Sequence, residues 1–386
     1  MKCKNVVILG STGSIGINTL KVIACFPGRF KVIGLTAYNN VKLLEEQVRL
    51  FKPQYIAIGK KYISYFQKVL DTKKIKIFDV ENGLDQIVAE DGVDIVVVAM
   101  RGSAALKPFL SALRHGKTVA PANKEALVVA GDLIIKEAKK YNAKIIPIDS
   151  EQSAIFQCLN NANRNELKRI YLTASGGCLL KTAKEKFNQL SREEILKHPR
   201  WKMGKKITVD SATLMNKGFE VIEAKHLFSV DVDRVQVVIH PEAVIHSMVE
   251  FIDGSIMAQL GVTDMRIPIQ YALTYPERWP SRLKSINFFE LEQLTFLKPD
   301  YDKFPSLRLA IQAGKEGGTL PCVLNAADEE AVDAFLKGDI VFTKIYEVVE
   351  KVVRKHKRVA NPDIKEILQA DGWAREEAQA AITKRG

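Results

Sequence analysis

Short apolar runs rich in β-branched residues recur along the first part of the chain, at 6–9, 32–35, 55–58, 95–99 and 145–148. The intervening stretches, such as 41–51 and 104–114, set apolar residues three and four apart, the spacing of one helix face. Strands alternating with helices predict a parallel sheet, with ligands taken beyond the carboxyl ends of its strands. After residue 150 the pattern changes. Longer strand-like stretches at 235–239, 244–251 and 255–260 stand beside helical patterns, which predicts a sheet packed on helices. Residues 175–204 are mostly polar, opening on Gly176-Gly177 and closing near His198-Pro199. A loop of that length in a compact chain is usually functional or disordered. Pro276, Pro280, Pro299 and Pro305 punctuate a connector, after which 307–313, 323–335, 342–353 and 374–383 carry helical spacing.

The length of 386 residues suits two or three domains. Hydrophobic residues at 47% and charged residues at 26% are ordinary for a soluble globular protein. No apolar run approaches the roughly 18–20 residues that cross a bilayer, and 6–9 is too short for the core of a secretion signal. Five cysteines, scattered and without a C-x-x-C, argue against a disulfide framework or a zinc site and for a reducing cytoplasm. The net charge of +12 is unusual and admits two readings, nucleic acid or small anions. Its position separates them. Residues 1–150 hold 23 Lys+Arg against 13 Asp+Glu, and residues 1–40 contain no acid.

Gly10, Gly13 and Gly16 directly follow the first strand and open a helical pattern. That arrangement lets backbone N–H groups approach a pyrophosphate at a helix N-terminus. The stretch about 20 residues on, where NAD sites carry an acid, reads Leu35-Thr-Ala-Tyr38-Asn39-Asn40 and has no carboxylate, which favours NADP. It also lacks a basic residue for the 2′-phosphate. Asp149 and Glu151, at i and i+2 after the strand at 145–148, can converge on a hard cation such as Mg²⁺ or Mn²⁺, or can simply cap a helix. Ser211, Asn216 and Lys217 are donors of the kind that hold a phosphate, with Glu220 a third carboxylate, or they are the polar face of a capped helix. His198, Trp201 and Met203 suit a lid, or a surface loop packed on the body. Lys124 stands on the ligand side of the sheet. His240 and His246 suit packing roles.

These segments occur in order: the glycine loop, Ala122-Asn-Lys-Glu125, Asp149-Ser-Glu151, Ala174-Ser-Gly-Gly177, His198-Pro-Arg-Trp-Lys-Met-Gly204, Asp210-Ser-Ala-Thr-Leu-Met-Asn-Lys-Gly218, Ile239-His-Pro241, Asp264-Met-Arg266 and Leu324-Asn-Ala-Ala327. Together they closely resemble the 1-deoxy-D-xylulose-5-phosphate reductoisomerase family over essentially the whole chain. The resemblance implies an α/β protein with a Rossmann-like NADP-binding domain at 1–149 and an α+β catalytic domain at 150–280. It further implies a mobile lid at about 175–204, a linker at 281–305, a C-terminal helical bundle domain at 306–386, and a V-shaped homodimer. It implies NADPH, a divalent metal (Mg²⁺, Mn²⁺ or Co²⁺) and a sugar phosphate substrate, with no nucleic acid or membrane partner. By motif position Asp149, Glu151 and Glu220 hold the metal. Ser175, Ser211, Asn216 and Lys217 hold the phosphate end. Lys124, Ser150 and His198 contact substrate, with Trp201 and Met203 over it. Gly10, Thr12, Gly13, Ser14, Ile15, Gly16, Asn39, Asn40, Asn123, Glu125 and Gly204 meet NADPH. Lys124, Glu151, Glu220 and His198 form the catalytic set. The chain departs from the family's pattern at Gln152, Cys178, Leu179, Ala126, Tyr38, Asn39 and Asp328. Two other readings stand beside this one: a different NADP-dependent oxidoreductase for a phosphorylated or acidic substrate, and a dinucleotide-sensing nucleic-acid binder, motivated by the basic run Arg354-Lys-His-Lys-Arg358.

Overall fold

The expected alternation begins at Lys4. The computed structural model describes residues 3–201 and 203–383. Its first part runs β1 (Lys4–Leu9), α1 (Ser14–Ala24), β2 (Phe30–Thr36), α2 (Val41–Phe51), β3 (Tyr55–Ile58), α3 (Ile63–Val69), β4 (Lys76–Asp79), α4 (Leu84–Ala89), β5 (Ile95–Val98), α5 (Leu106–Arg114), β6 (Thr118–Pro121), α6 (Glu125–Lys140) and β7 (Lys144–Ile145). The strands form one parallel sheet in the order β4-β3-β2-β1-β5-β6-β7. The order reverses between β1 and β5, so a crevice opens past their carboxyl ends. Val6–Leu9 and Val96–Val98 are fully buried, which is why these strands read as unbroken apolar runs rather than as alternation. Each such side chain contributes about 1.5–3 kcal/mol by leaving water.

Two details differ from the sequence expectation. The run at 145–148 keeps only Lys144–Ile145 as strand, because Pro147 has no N–H to give the ladder. Ile146 and Ile148 still donate to Val119 O and Pro121 O, each at 2.9 Å. β4 was not expected. It is an edge strand whose four residues are all partly exposed, too short for its alternation to stand out.

The chain continues with α7 (Ser150–Cys158), β8 (Leu167–Ala174), α8 (Arg192–Ile195), α9 (Lys205–Thr213), α10 (Met215–Phe228), β9 (Val235–Ile239), β10 (Ile245–Phe251) and β11 (Ile256–Leu260). It ends with α11 (Arg266–Thr274), α12 (Pro305–Glu316), α13 (Leu320–Lys337), α14 (Lys344–Lys355) and α15 (Ile364–Thr383). The second sheet, β11-β10-β8-β9, is mixed: β8 and β9 are parallel, and β10 runs antiparallel to β8 and β11. One apolar core joins this sheet to α10 and to α12–α15, through Ile170, Phe219, Leu307, Leu324 and Val349. Residues 175–204, expected as one polar loop, are anchored in that core by Leu179, Phe187 and Ile195. Ser191 and Glu194 cap α8 reciprocally.

Contacts divide the chain into two compact units that are not sequential runs. One takes residues up to Ala126 with Ile134–Ser153 and Asp264–Arg282; the other takes Leu127–Leu133, Ala154–Thr263 and everything from Leu283. The return of Asp264–Arg282 has a physical cause. Trp279 packs edge-on to Phe26 at 5.1 Å, and Lys4 Nζ donates to Leu273 O and Tyr275 O at 3.1 and 3.3 Å.

Candidate active site

In the first unit, the glycine loop is shaped by β2 and α2. Thr36 Oγ1 accepts from the Gly10 N–H at 2.8 Å, and buried Ser11 is clamped by Gln47, which accepts from its hydroxyl at 2.7 Å and donates to its carbonyl at 2.9 Å. Gly10 has φ +85°, and a Cβ there would lie 2.6 Å from Ala99 O, where β1 and β5 diverge. Ser11 is therefore structural, while Thr12, Gly13, Ser14 and Ile15 stay at least partly exposed at the start of α1. The α1 first turn carries no acid, so its positive end is not neutralised locally.

Tyr38, Asn39 and Asn40 are exposed past β2, and Asn40 caps α2 by accepting from Leu43 N. The loop itself carries no cation. The fold supplies one from the next strand. Gly59 N donates to Tyr38 O at 3.0 Å, so the turn after β3 lies against the loop after β2 and brings Lys60 and Lys61 alongside. Lys60 and Lys61 are both exposed, and Lys61 Nζ sits over the Tyr62 ring at 4.9 Å. The pairing of β2 with β3 sets the turn that carries these lysines against the loop after β2.

Asn123 has a structural duty that sequence reasoning missed: its amide donates to Met100 O and Gly102 O and accepts from Ala126 N, tying β5 to the start of α6. Lys124 and Glu125 follow, both buried. Lys124 Nζ lies 2.9 Å from Asp149 Oδ2, with both side chains nearly buried. Ser150 Oγ donates to Glu151 Oε2 at 2.5 Å. Gln152 is fully buried.

In the second unit, Glu220 is 1% exposed and Lys217 is 4% exposed. Glu220 accepts from Asn216 Nδ2 at 2.6 Å and from Lys217 Nζ, i−4 and i−3 on α10. A helix makes this cluster local, so it was legible in sequence. Gly177, two residues after Ser175, packs against Ser211: a Cβ there would lie 2.5 Å from Ser211 O. His198 Nδ1 accepts from Arg200 N and Trp201 N at 3.2 and 2.9 Å, which assigns the ring proton to Nε2, 3.2 Å from Ser175 Oγ. Burial lowers the His198 pKa to about 4, so the ring is neutral near pH 7. Met203 is half-buried, and Gly204 starts α9. Lys206, which no motif singled out, lies 2.6 Å from Asp210 and 2.9 Å from fully buried Asp328 on α13. That ion pair gives a reason for Asp where the family pattern has Asn.

His240 and His246 are both buried, as packing roles require. His240 Nε2 accepts from Val244 N and Ile245 N. Burial is the largest cause holding His246 down to about 4. A histidine kept neutral in the fold but free to protonate near 6.5 when unfolded contributes stability above 6.5 that is lost as pH falls towards 4. The urea midpoint is expected to drop across that window and to drop less in His246→Gln. An identical pH profile in that variant would refute the assignment.

The acids and lysines of each unit thus form buried, mutually neutralising pairs that an anionic substrate and a hard cation could reorganise. Among the described residues no helix is long and apolar enough to cross a membrane. Three family models match the chain in succession: 1-deoxy-D-xylulose 5-phosphate reductoisomerase over residues 6–131, its C-terminal domain over 145–228, and the DXP reductoisomerase C-terminal domain over 260–377. A 1-deoxy-D-xylulose 5-phosphate reductoisomerase of Pelotomaculum thermopropionicum is 48% identical over 374 residues, covering 96% of this chain and 97% of its own. One of Desulforamulus reducens is 49% identical over 383 residues, covering 98% and 99%. Among solved structures, a DOX-P reductoisomerase in complex with NADPH, fosmidomycin and magnesium matches at TM-score 0.95 and 40% identity, covering 99% of this chain and 100% of that one. The Zymomonas mobilis enzyme in complex with NADPH matches at TM-score 0.93 and 39% identity, with the same coverage.

Proposed function

The chain belongs to the 1-deoxy-D-xylulose 5-phosphate reductoisomerase family. From that membership we infer that it converts 1-deoxy-D-xylulose 5-phosphate to 2-C-methyl-D-erythritol 4-phosphate, using NADPH and a divalent metal. The observation that carries the site assignment is the presence of Lys124 against Asp149 and Lys217 against Glu220 at the family's motif positions. The donor chemistry fits a metal: Asp149, Glu151 and Glu220 are all-oxygen ligands of the kind Mg²⁺ or Mn²⁺ prefers. Held by these carboxylates, a divalent metal would supply Lewis-acid polarisation to the substrate. The chain's own residues do the rest. Lys124 directs a charged N–H at the oxygen that gains negative charge as the carbon skeleton is cleaved and rejoined. Ser175, Ser211, Asn216 and Lys217 grip the phosphate, and that remote binding energy draws the lid down. His198 donates Nε2–H to substrate in place of Ser175. Trp201 and Met203 exclude water during hydride transfer from NADPH. The division into nucleotide domain, catalytic domain with lid, linker and helical domain is the organisation these roles require.

The deciding experiment follows NADPH consumption with deoxyxylulose phosphate and Mg²⁺, with the product identified by NMR. The branched 2-C-methyl skeleton is expected. NADPH oxidation with an unrearranged skeleton would place the chain among other NADP-dependent oxidoreductases.

Lys60 supplies the cation for the adenosine 2′-phosphate that the β2 loop lacks. Lys60→Ala is expected to weaken 2′,5′-ADP binding by about tenfold, the loss of one charge-assisted hydrogen bond, and to leave 5′-AMP binding unchanged. Calorimetry checks this, and equal losses for both nucleotides would refute it.

The protein acts as a homodimer in the cytoplasm. Ile256 and Met257, 54% and 53% exposed on edge strand β11, and Ile252 at 67%, support the covering of this edge by a second copy. A monomer mass in sedimentation equilibrium at micromolar protein would overturn the dimer.

A further inference from the structure

The parallel sheet has a second concave end. Opposite the glycine loop, at the amino ends of the strands, lies a cavity of about 630 Å³ within the first unit. That is the size of a small-molecule site. Its wall is built from the first residues of four strands (Lys4 of β1, Ile95 of β5, Thr118 of β6 and Lys144 of β7), from the turn before β6, and from the returning segment that ends at Trp279.

The charges in this wall do not balance. Lys4, Arg29, Lys117 and Lys144 line it, with His115, against two carboxylates, Asp94 and Glu277. Both carboxylates already accept from N–H groups of the fold. Asp94 Oδ2 takes Asn5 N at 2.7 Å, and Glu277 Oε2 takes Trp279 Nε1 at 2.7 Å. None of the four cations has a carboxylate oxygen within 4.0 Å among the described residues. Lys117 is the clearest case. It is 7% exposed, yet its ammonium meets only carbonyls, Glu90 O at 2.7 Å and Asp91 O at 3.4 Å. Lys4 likewise meets two carbonyls. An ammonium has three N–H donors, so each retains one to spare. Burial is the chief cause that lowers the pKa of Lys4. Asp94 and Glu277 oppose that shift, and Lys144 adds to it. A buried cation without a counter-ion is costly, and a bound anion relieves it.

We propose that this cavity binds a phosphate-bearing small molecule, a phosphate monoester or diphosphate, at the end of the sheet remote from the glycine loop. A dianion with several acceptor oxygens matches donors that converge from separate strands, where a single carboxylate would reach only one or two of them. Two sources share this chemistry, a nucleoside diphosphate and an alkyl diphosphate. Arg29 already stacks over Trp279 at 5.4 Å, so the aromatic face is occupied and recognition rests on the phosphates.

The test is calorimetric titration of inorganic pyrophosphate into the full-length, NADPH-saturated protein without metal, so that neither the nucleotide site nor chelation contributes. A site with submillimolar affinity is expected. It should weaken by about tenfold in Lys144→Ala, as removal of one converging charge predicts, while Ser211→Ala, in the other unit, leaves it intact. Lys144 is exposed, so its variant keeps the fold and, without pyrophosphate, its NADPH affinity. Arg29→Ala, also exposed, provides an independent second variant. Repeating the titration with ADP and with an alkyl diphosphate distinguishes the two sources. No binding up to about 10 mM, where affinity falls below the millimolar range, would overturn the proposal. So would binding lost in Ser211→Ala but kept in Lys144→Ala and Arg29→Ala.

Discussion

Glu220→Gln is expected to lower turnover by at least about 10³-fold, some 4 kcal/mol of transition-state stabilisation, while NADPH affinity changes little. The side chain keeps its size and can still accept from Asn216. What it loses is charge, and charge matters here for two reasons. A neutral amide is a poor ligand for a hard dication. It also leaves the Lys217 ammonium, 4% exposed, without the carboxylate that sits against it. Removing one partner of a buried pair costs more than the pair itself contributes, about 3 kcal/mol of stability. Turnover at saturating Mg²⁺, an NADPH fluorescence titration and a urea melt separate these effects. Near-wild-type turnover would remove Glu220 from the metal set whatever the melt showed.

The second large effect is expected in the glycine loop. A Cβ on Gly16 would lie 2.4 Å from Gly10 O and 2.5 Å from Ser11 Cα and Ser11 O. These are backbone atoms held by Thr36 and Gln47, so the clash cannot be relieved by a rotamer change. Gly16→Ala is expected to destabilise by about 1–3 kcal/mol, the usual cost of overpacking, and to displace the start of α1 enough to abolish tight NADPH binding. Gly13→Ala is the control. Its Cβ finds nothing nearer than 3.4 Å, so its stability should stay within about 0.5 kcal/mol of wild type. Equal melting of Gly16→Ala and wild type would show that the loop can shift to make room.

Much of this was legible because it is local. The parallel strands announced themselves as apolar runs, since both of their faces are covered. Asn216, Lys217 and Glu220 fall at helical spacing, and one turn of α10 suffices to group them. β8 was harder to see, because Lys168, Arg169 and Tyr171 interrupt its apolar residues and only pairing with β9 and β10 makes it a strand. The polar look of 175–204 was misleading for a similar reason. Three buried side chains, Leu179, Phe187 and Ile195, are too few and too widely spaced to show as a period, yet they are enough to hold the segment down.

The sequence alone determined the alternation of buried strands with helices in the first part of the chain, the glycine loop at the first strand–helix junction, and the motif residues of the family. Each of these depends on neighbours within a few positions. Only the tertiary structure decided that Lys124 pairs with Asp149, that Lys206 reaches Asp328, that Asn123 reaches Met100 and Gly102, and that Gly59, just before Lys60, is bonded to Tyr38. It also decided that Asp264–Arg282 returns to the nucleotide unit and, with the strand starts, encloses a cationic cavity. These contacts join residues 21 to more than 120 positions apart along the chain. Their partners are chosen by strand order and by the need of buried charges and donors to find one another, and no periodicity records that choice.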